Sequence, residues 1–141
     1  MSSVARALAS LLCLLSIALV PTAVAARSAV PIVEHENVAA MTPGGQPASA
    51  DQIRRAFMAG GARRNWTFTE EGPNKLVGRL NVRTHQISVD IPISDGKFSI
   101  LYKDSVNMKY GAEDGKKVIH PQYNNWVNNL LADVRTELAR Q

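Results

Sequence analysis

The stretch that decides the fold is WTFTEEGPNKLVGRLNVRTHQISVDIPISDGKFSILYKD, residues 66–104. Apolar and polar side chains alternate along it, and turn-forming residues separate the alternating runs, as in half-buried β-strands joined by short turns. The stretch predicts a four-stranded antiparallel meander. Since a helical segment lies on each side of it, we expect an α+β fold, a two-layer sandwich with two helices packed on one face of the sheet.

The first turn of the meander sets a register between its second and third strands. A four-residue corner at residues 83–86 places Val82 opposite Ile87. In this register the apolar residues of both strands share one face. On the other face Arg79 lies beside Asp90, which predicts a cross-strand ion pair.

The remaining turns extend this register to the outer strands. The Asp-Gly sequence within residues 94–97 is a strong hairpin signal and places Ile93 opposite Phe98. A five-residue loop before the second strand places Phe68 over Gly78, where an aromatic ring fills the space of the missing side chain.

Two segments outside the meander predict helices. Ser49 begins the first, and Gln52 completes a capping box. We expect the glycine pair at residues 60–61 to lie inside this helix and allow close packing, with Asn65 as a left-handed cap. The second helix begins around residues 120–121 and carries a broad apolar stripe. The predicted core comprises Ile53, Phe57, Trp66, Phe68, Leu80, Val89, Ile91, Ile100, Tyr123, Val127, Leu130 and Val134.

Residues 1–26 have the pattern of a secretory signal peptide. A single positive charge precedes an apolar run over residues 7–20, and small residues follow. The run is shorter than the roughly 20 residues that span a bilayer, so an uncleaved anchor is the less favoured alternative. We expect cleavage after Ala25 or Ala26, no transmembrane span afterwards, and a periplasmic or secreted protein.

The mature chain divides into a linker and one domain. Residues 27–48 are rich in Ala, Pro and Gly, which predicts a linker, and residues 31–35 within it are suited to a short strand that either pairs at a sheet edge or stays unpaired in solvent. Residues 49–141 form the α-β-β-β-β-α domain. This length is enough for a single core without disulfides.

Charge, cysteine and histidine content argue against several function classes. The chain has 16 Lys and Arg against 12 Asp and Glu, with the two signs interspersed, so we expect no nucleic-acid partner. The single cysteine, Cys13, lies in the signal segment, which removes disulfides and thiol chemistry from the mature chain. The histidines lack the close spacing of metal sites, so we expect neither a metal nor another cofactor.

The region before and into the second helix carries a recognisable pattern. YKDS at residues 102–105, Asn107 and Tyr110 are followed by IHPQYNNWVNNL at residues 119–130. This order resembles the YKDS…N…Y…IH.NYN.WV.NL pattern of a family of small proteobacterial envelope proteins, several of them described as lipoproteins. The resemblance covers roughly residues 50–140. It implies an envelope location and no particular activity, and the lipoprotein cysteine is absent here.

Asp104, Ser105 and His120 are the candidate catalytic residues. They are nucleophile and base types that flank one connection, so a small hydrolase is the alternative hypothesis. Asp and Ser after a strand also close turns, and a histidine at this place can cap the second helix. We favour a non-catalytic binding or accessory module, because a sheet with helices on one face tends to offer a flat surface rather than a pocket.

Two surfaces are candidates for binding a partner, which we expect to be an envelope protein, a glycan or a lipid headgroup. The outer sheet face carries three candidate cations: Arg79, Arg83 and Lys103. The polar side of the second helix carries four asparagines: Asn124, Asn125, Asn128 and Asn129. A solvated surface without a partner has the same composition, so both alternatives stay open.

Overall fold

The computed structural model describes residues 28–141, which form two helices and two antiparallel sheets. The helices are α1 (Ala50–Ala62) and α2 (Gln122–Leu138). The strands are β1 (Val30–Pro31), β2 (His35–Ala39), β3 (Thr67–Glu70), β4 (Lys75–Val82), β5 (His85–Ser94), β6 (Lys97–Val106), β7 (Gly111–Glu113) and β8 (Lys116–Ile119). The predicted α+β class with antiparallel pairing is confirmed.

The predicted architecture, a four-stranded meander with two helices on one face, is wrong in its sheet content. The strands β3 to β6 do follow one another as a meander, but β2 pairs with β6 and makes a five-stranded sheet in the order β2-β6-β5-β4-β3. The connection before α2 contains the hairpin β7–β8, which pairs with β1 as a second sheet. Asp114 and Gly115 at its tip have φ values of 51° and 76°, as a two-residue hairpin turn requires.

The register between β4 and β5 differs from the prediction by two residues. The turn consists of Arg83 and Thr84 alone, so Val82 lies opposite His85 rather than Ile87. A shift of two keeps every side chain on its predicted face, whereas a shift of one would have moved the apolar set to the other face. The predicted inward face of the sheet is therefore retained.

The predicted pair between Arg79 and Asp90 is not formed, because of this shift. Arg79 lies opposite Ser88. The Asp90 carboxylate instead forms ion pairs with the ammonium groups of Lys75 and Lys103, at 3.2 and 3.3 Å. The other two pairings are as predicted: Ile93 lies opposite Phe98 and Phe68 lies opposite Gly78.

The core lies between the helices and the inward face of the five-stranded sheet. The Phe57 ring of α1 makes edge-to-face contacts with Phe98 at 5.0 Å and Phe68 at 6.1 Å between centroids. Gly60 and Gly61 lie inside α1, as predicted. A Cβ at Gly60 would lie 3.0 Å from the α2 backbone, and one at Gly61 would lie 2.4 Å from the Phe68 ring. The glycine pair therefore lets α1 approach both neighbours. Every predicted core residue except the half-buried Phe68 is buried.

Helix α1 begins as predicted, and α2 begins slightly later than predicted. The Ser49 hydroxyl accepts the Gln52 N–H at 3.1 Å while the Gln52 side chain accepts the Ser49 N–H at 2.9 Å, which completes the capping box. Asn65 has the predicted left-handed conformation, with φ 63°, but the C-cap residue of α1 is Arg63, with φ −65°, so Asn65 lies two residues beyond the cap. Helix α2 begins at Gln122, and its N-cap residue Pro121 has no side-chain hydrogen bond to the helix.

The predicted signal segment, residues 1–26, lies outside the described residues. In the region predicted as a linker, the described part forms β1 and β2. The edge strand expected at residues 31–35 is not formed as one strand: Pro31 ends β1, His35 begins β2, and residues 32–34 lie outside both strands. Between residues 28 and 141, neither helix has the length and apolar character needed to cross a membrane.

Candidate functional site

A pocket of about 310 Å³ opens where the β4–β5 turn meets the start of α2. Its lining residues come from the end of β4, the turn, the start of β5 and the beginning of α2: Val82, Arg83, His85, His120, Gln122 and Trp126. We call it the His85 pocket. Its volume lies at the lower end of the range of small-molecule sites. The domain therefore has a concave site in addition to the flat surface that the sequence led us to expect.

Arg83 reaches the pocket from a strained position. Its φ of 56° lies in the left-handed region, which favours Gly, Asn and Asp in two-residue hairpin turns. Within residues 28–141 its guanidinium forms no ion pair with a carboxylate. The turn thus presents an uncompensated cation beside the pocket.

The His85 ring is held in one tautomer by the backbone. Its Nδ1 lies 2.6 Å from the carbonyl oxygen of Asn107, and since a carbonyl only accepts, Nδ1 carries the proton. In the neutral ring Nε2 is then the acceptor nitrogen. The Asn107 side chain also donates to the Thr84 hydroxyl at 2.9 Å. Asn107 therefore ties the ring and the strained turn together.

The second wall of the pocket is the beginning of α2. The Gln122 N–H donates to His120 Nδ1 at 3.2 Å. This is a helix-capping contact, the structural role that the sequence suggested for His120 as the alternative to catalysis. The ring centroid of His85 lies 6.1 Å from that of His120 and 6.4 Å from that of Trp126. Three aromatic rings from two distant parts of the chain therefore line one small cavity.

The charges around the His85 pocket favour a negative ligand. None of the lining residues that the structure describes is Asp or Glu, whereas one is Arg and two are His. The first turn of α2 has no acidic residue, so the positive end of the helix dipole at this end of the pocket is not offset there by a carboxylate of its own turn. Arginine and imidazolium groups bind carboxylate and phosphate oxygens through charge-assisted hydrogen bonds.

The three candidate catalytic residues have different surroundings. The Ser105 hydroxyl lies 2.9 Å from the Tyr102 hydroxyl, and Asp104 lies opposite Ser88 on β5 and is exposed. His120 lines the His85 pocket. Burial raises the pKa of the Tyr102 hydroxyl, although its hydrogen bond with Ser105 acts in the opposite direction. A phenol that keeps its proton is a hydrogen-bond partner for Ser105 and not a base that activates it.

Two of the four asparagines predicted for binding hold the chain's own N-terminal segment. The Asn124 amide accepts the Val33 N–H and donates to the Pro31 carbonyl, both at 3.0 Å. The Asn128 side-chain oxygen lies 3.1 Å from His35 Nε2. These contacts connect α2 to the segment that runs from β1 to β2.

The remaining predicted binding residues are spread over the surface. Lys103 forms its ion pair with Asp90, and Arg79 is exposed on β4. Asn125 donates to a neighbouring glutamine at 3.2 Å, and Asn129 is exposed on α2. Of the predicted cations, only Arg83 lines the His85 pocket, since Arg79 and Lys103 are not among its lining residues.

Sequence reasoning missed Val82, His85, Gln122 and Trp126 as site residues. His85 lies in the corner predicted at residues 83–86, Trp126 lies in the second predicted helix, and no short motif joins them. Only the packing of the α2 start against the β4–β5 turn brings them together. The left-handed conformation of Arg83 has no signal in the sequence, because Arg83 and Thr84 are not typical turn residues.

Comparison with known proteins adds no relative. No protein-family model, curated protein or solved structure matches the chain significantly. Among residues 28–141, no three or more His, Cys, Asp or Glu side chains are grouped so that they could hold a metal ion. The chemistry of the His85 pocket is therefore argued from its own residues.

Proposed function

We propose that this protein is a non-catalytic binding module of the periplasm or the extracellular space, and that its His85 pocket binds an anionic group. The group is a carboxylate or phosphate carried by an envelope glycan, a lipid headgroup or an envelope protein. The observation that carries the proposal is a concave site lined by Arg83 and two imidazoles and by no carboxylate. The secretory pattern of residues 1–26 supports the location.

Each side chain of the pocket has a part in this proposal. The Arg83 guanidinium has the planar fork that matches two oxygens of a carboxylate or phosphate. His85 keeps Nδ1 on the Asn107 carbonyl, so its Nε2 is the ring nitrogen left to contact the ligand. Trp126 supplies an aromatic wall for the apolar part of a ligand. Recognition of an anion with a ring or an aliphatic chain attached follows from this combination.

The strain at Arg83 is the second support. Glycine would occupy a φ of 56° without steric cost, whereas arginine there is disfavoured. Residues with strained backbone conformations cluster at functional sites, where the function of the side chain offsets the loss of folding stability. Asn107 and Lys109, on the segment after β6, also have positive φ values, of 55° and 53°.

The hydrolase hypothesis is not our proposal. It requires a base beside the Ser105 hydroxyl, and the phenol that lies there has a raised pKa. The His85 pocket is lined by no serine, threonine or cysteine that would act as a nucleophile, as far as the described residues go. Binding without chemistry is the simpler use of this geometry.

An NMR titration tests the proposal with two probes, inorganic phosphate and glucuronate. We expect either anion to shift the indole N–H resonance of Trp126 and the ring resonances of His85. Arg83→Ala should weaken binding about tenfold or more, because it removes a charge-assisted contact. Arg79→Ala is the matched control, since it removes the same charge from the same strand region outside the pocket.

Two results would count against the proposal. In the first, neither anion moves the Trp126 and His85 resonances while the protein remains folded. In the second, Arg79→Ala weakens binding as much as Arg83→Ala, which would mean that the anion responds to net charge and not to the pocket.

A further inference from the structure

A larger groove, of about 500 Å³, separates the two sheets. One wall is formed by Ile32, Lys116 and Lys117, which lie next to β1 or on β8. The other is formed by Leu101 and Tyr102 of β6. The groove shares no lining residue with the His85 pocket, so an inference about it stands or falls independently of the proposed function.

The groove lies where β6 loses its partner on one side. The strand β2 pairs with β6 only as far as His35 opposite Ile100, whereas β6 continues to Val106. The segment before β2 does not continue along β6: the Ile32 N–H donates to the Lys117 carbonyl of β8 and the Val33 N–H donates to the Asn124 side chain of α2, both at 3.0 Å. From Leu101 onward β6 is therefore an open edge of the five-stranded sheet, with main-chain groups available for another strand.

The first main-chain N–H of this open edge, that of Tyr102, already donates to a carboxylate of the same chain. Both oxygens of Glu34 lie 3.1 Å from the Tyr102 backbone nitrogen and accept its N–H. Glu34 is kept there by its neighbour, because the Val33 N–H is bound by the Asn124 side chain. The Tyr102 amide is thus a carboxylate site, filled from within the chain in place of a strand carbonyl.

Two lysines add positive charge to the same groove. Lys116 and Lys117 are exposed, and within the described part of the chain neither forms an ion pair. Ile32 and Leu101 are partly buried and give the groove an apolar surface between these charges and the strand edge. An amide donor, unpaired ammonium groups and an apolar surface together are the elements of C-terminal carboxylate recognition beside a strand.

We infer that the groove binds the C-terminal end of an extended peptide from a partner protein. The terminal carboxylate replaces Glu34 at the Tyr102 amide and pairs with Lys116 and Lys117. The peptide main chain continues along the open edge of β6, and its last side chain lies against Ile32 and Leu101. Glu34 is then an internal competitor that must move before the peptide binds.

The test uses two N-acetylated peptides with an alanine-rich sequence ending in valine, one with a free C-terminal carboxylate and one with a carboxamide. Binding is followed by ¹⁵N NMR on the full mature protein. We expect the free acid to shift the Tyr102 amide resonance and the carboxamide to leave it in place. Glu34→Ala should strengthen binding of the free acid about fivefold or more by removing the competitor.

Further variants separate this mechanism from a general charge effect. Glu36→Ala is the matched control, since Glu36 also lines the groove and carries the same charge. It should change the affinity less than Glu34→Ala does. The double variant Lys116→Ala/Lys117→Ala, at exposed positions, should weaken binding about tenfold. Glu34→Gln keeps an acceptor oxygen for the Tyr102 amide in case Glu34→Ala disturbs the N-terminal segment.

The inference is overturned if the acid and the carboxamide bind equally well, or if neither peptide moves the Tyr102 resonance in the folded wild type and in Glu34→Gln. Equal gains in Glu34→Ala and Glu36→Ala would also contradict it. That result would assign the effect to the overall charge of the groove and not to the Tyr102 amide.

Discussion

Replacing Arg83 by glycine should make the protein more stable while it removes the cation of the His85 pocket. A residue with a Cβ in the left-handed region costs roughly 1–2 kcal/mol, and φ at Arg83 is 56°. Glycine relieves this strain but adds about 0.5–1 kcal/mol of chain entropy that is lost on folding. The net gain is about 0.5–1 kcal/mol.

Urea unfolding measures this gain. The midpoint for Arg83→Gly should rise while the m-value stays constant, because the surface exposed on unfolding hardly changes. Arg83→Ala is the matched control: it removes the same side chain beyond Cβ but retains the strain, so its midpoint should not rise. Both variants should lose anion binding in the NMR titration.

A loss of more than about 1 kcal/mol in Arg83→Gly would refute the strain argument. It would mean that the Arg83 side chain contributes to folding through its own contacts. Equal stability of Arg83→Gly and Arg83→Ala would also refute it, because glycine would then relieve no strain at this φ. In either case the backbone conformation of Arg83 would no longer indicate a function.

Three further predictions concern the fold and the location. Gly61→Ala should cost about 1–3 kcal/mol in urea unfolding, because the new Cβ would lie 2.4 Å from an aromatic ring of β3, whereas Gly111→Ala, with open space around it, should cost far less. Burial raises the pKa of the Tyr123 hydroxyl, so the native state holds its proton more tightly than the unfolded chain does. The free energy of unfolding should therefore fall as the pH rises above about 10, and it should fall less steeply in Tyr123→Phe. An unchanged pH profile in this variant would contradict the prediction. N-terminal sequencing of protein recovered from its cell should begin at Ala26 or Arg27, and an intact first residue in the membrane pellet would exclude cleavage.

The parts of the fold that the sequence predicted are those with strong local signals. The capping box at Ser49, the Asp-Gly turn after Ile93 and the apolar stripe of α2 each depend on neighbours in the chain. The β4–β5 turn has no such signal, because Arg83 and Thr84 are not typical turn residues, and its length was overestimated by two.

The second sheet was missed for a different reason. Its hairpin has the same Asp-Gly signal at Asp114 and Gly115, but β7 and β8 are too short to show an alternating pattern. β1 is two residues long and is defined only by its pairing with β8. Short strands of this kind are specified by their partners and not by their own sequence.

The candidate site depends almost entirely on tertiary structure. Of its residues, the sequence singled out Arg83 for binding and His120 for catalysis, each in a different context. That His85 lies between them, with its tautomer set by Asn107, follows from the packing of three separate segments, residues 82–85, Asn107 and residues 120–126. Residue composition and spacing do not show which separate segments pack together. The sequence therefore predicted a flat surface and not a pocket.

The most direct test of the central claim is a crystal structure of the mature protein grown with phosphate in the mother liquor. We expect a phosphate in the His85 pocket, with oxygens about 2.7–3.2 Å from the Arg83 guanidinium and from His85 Nε2. A phosphate on Lys116 and Lys117, with the His85 pocket occupied only by water, would contradict it.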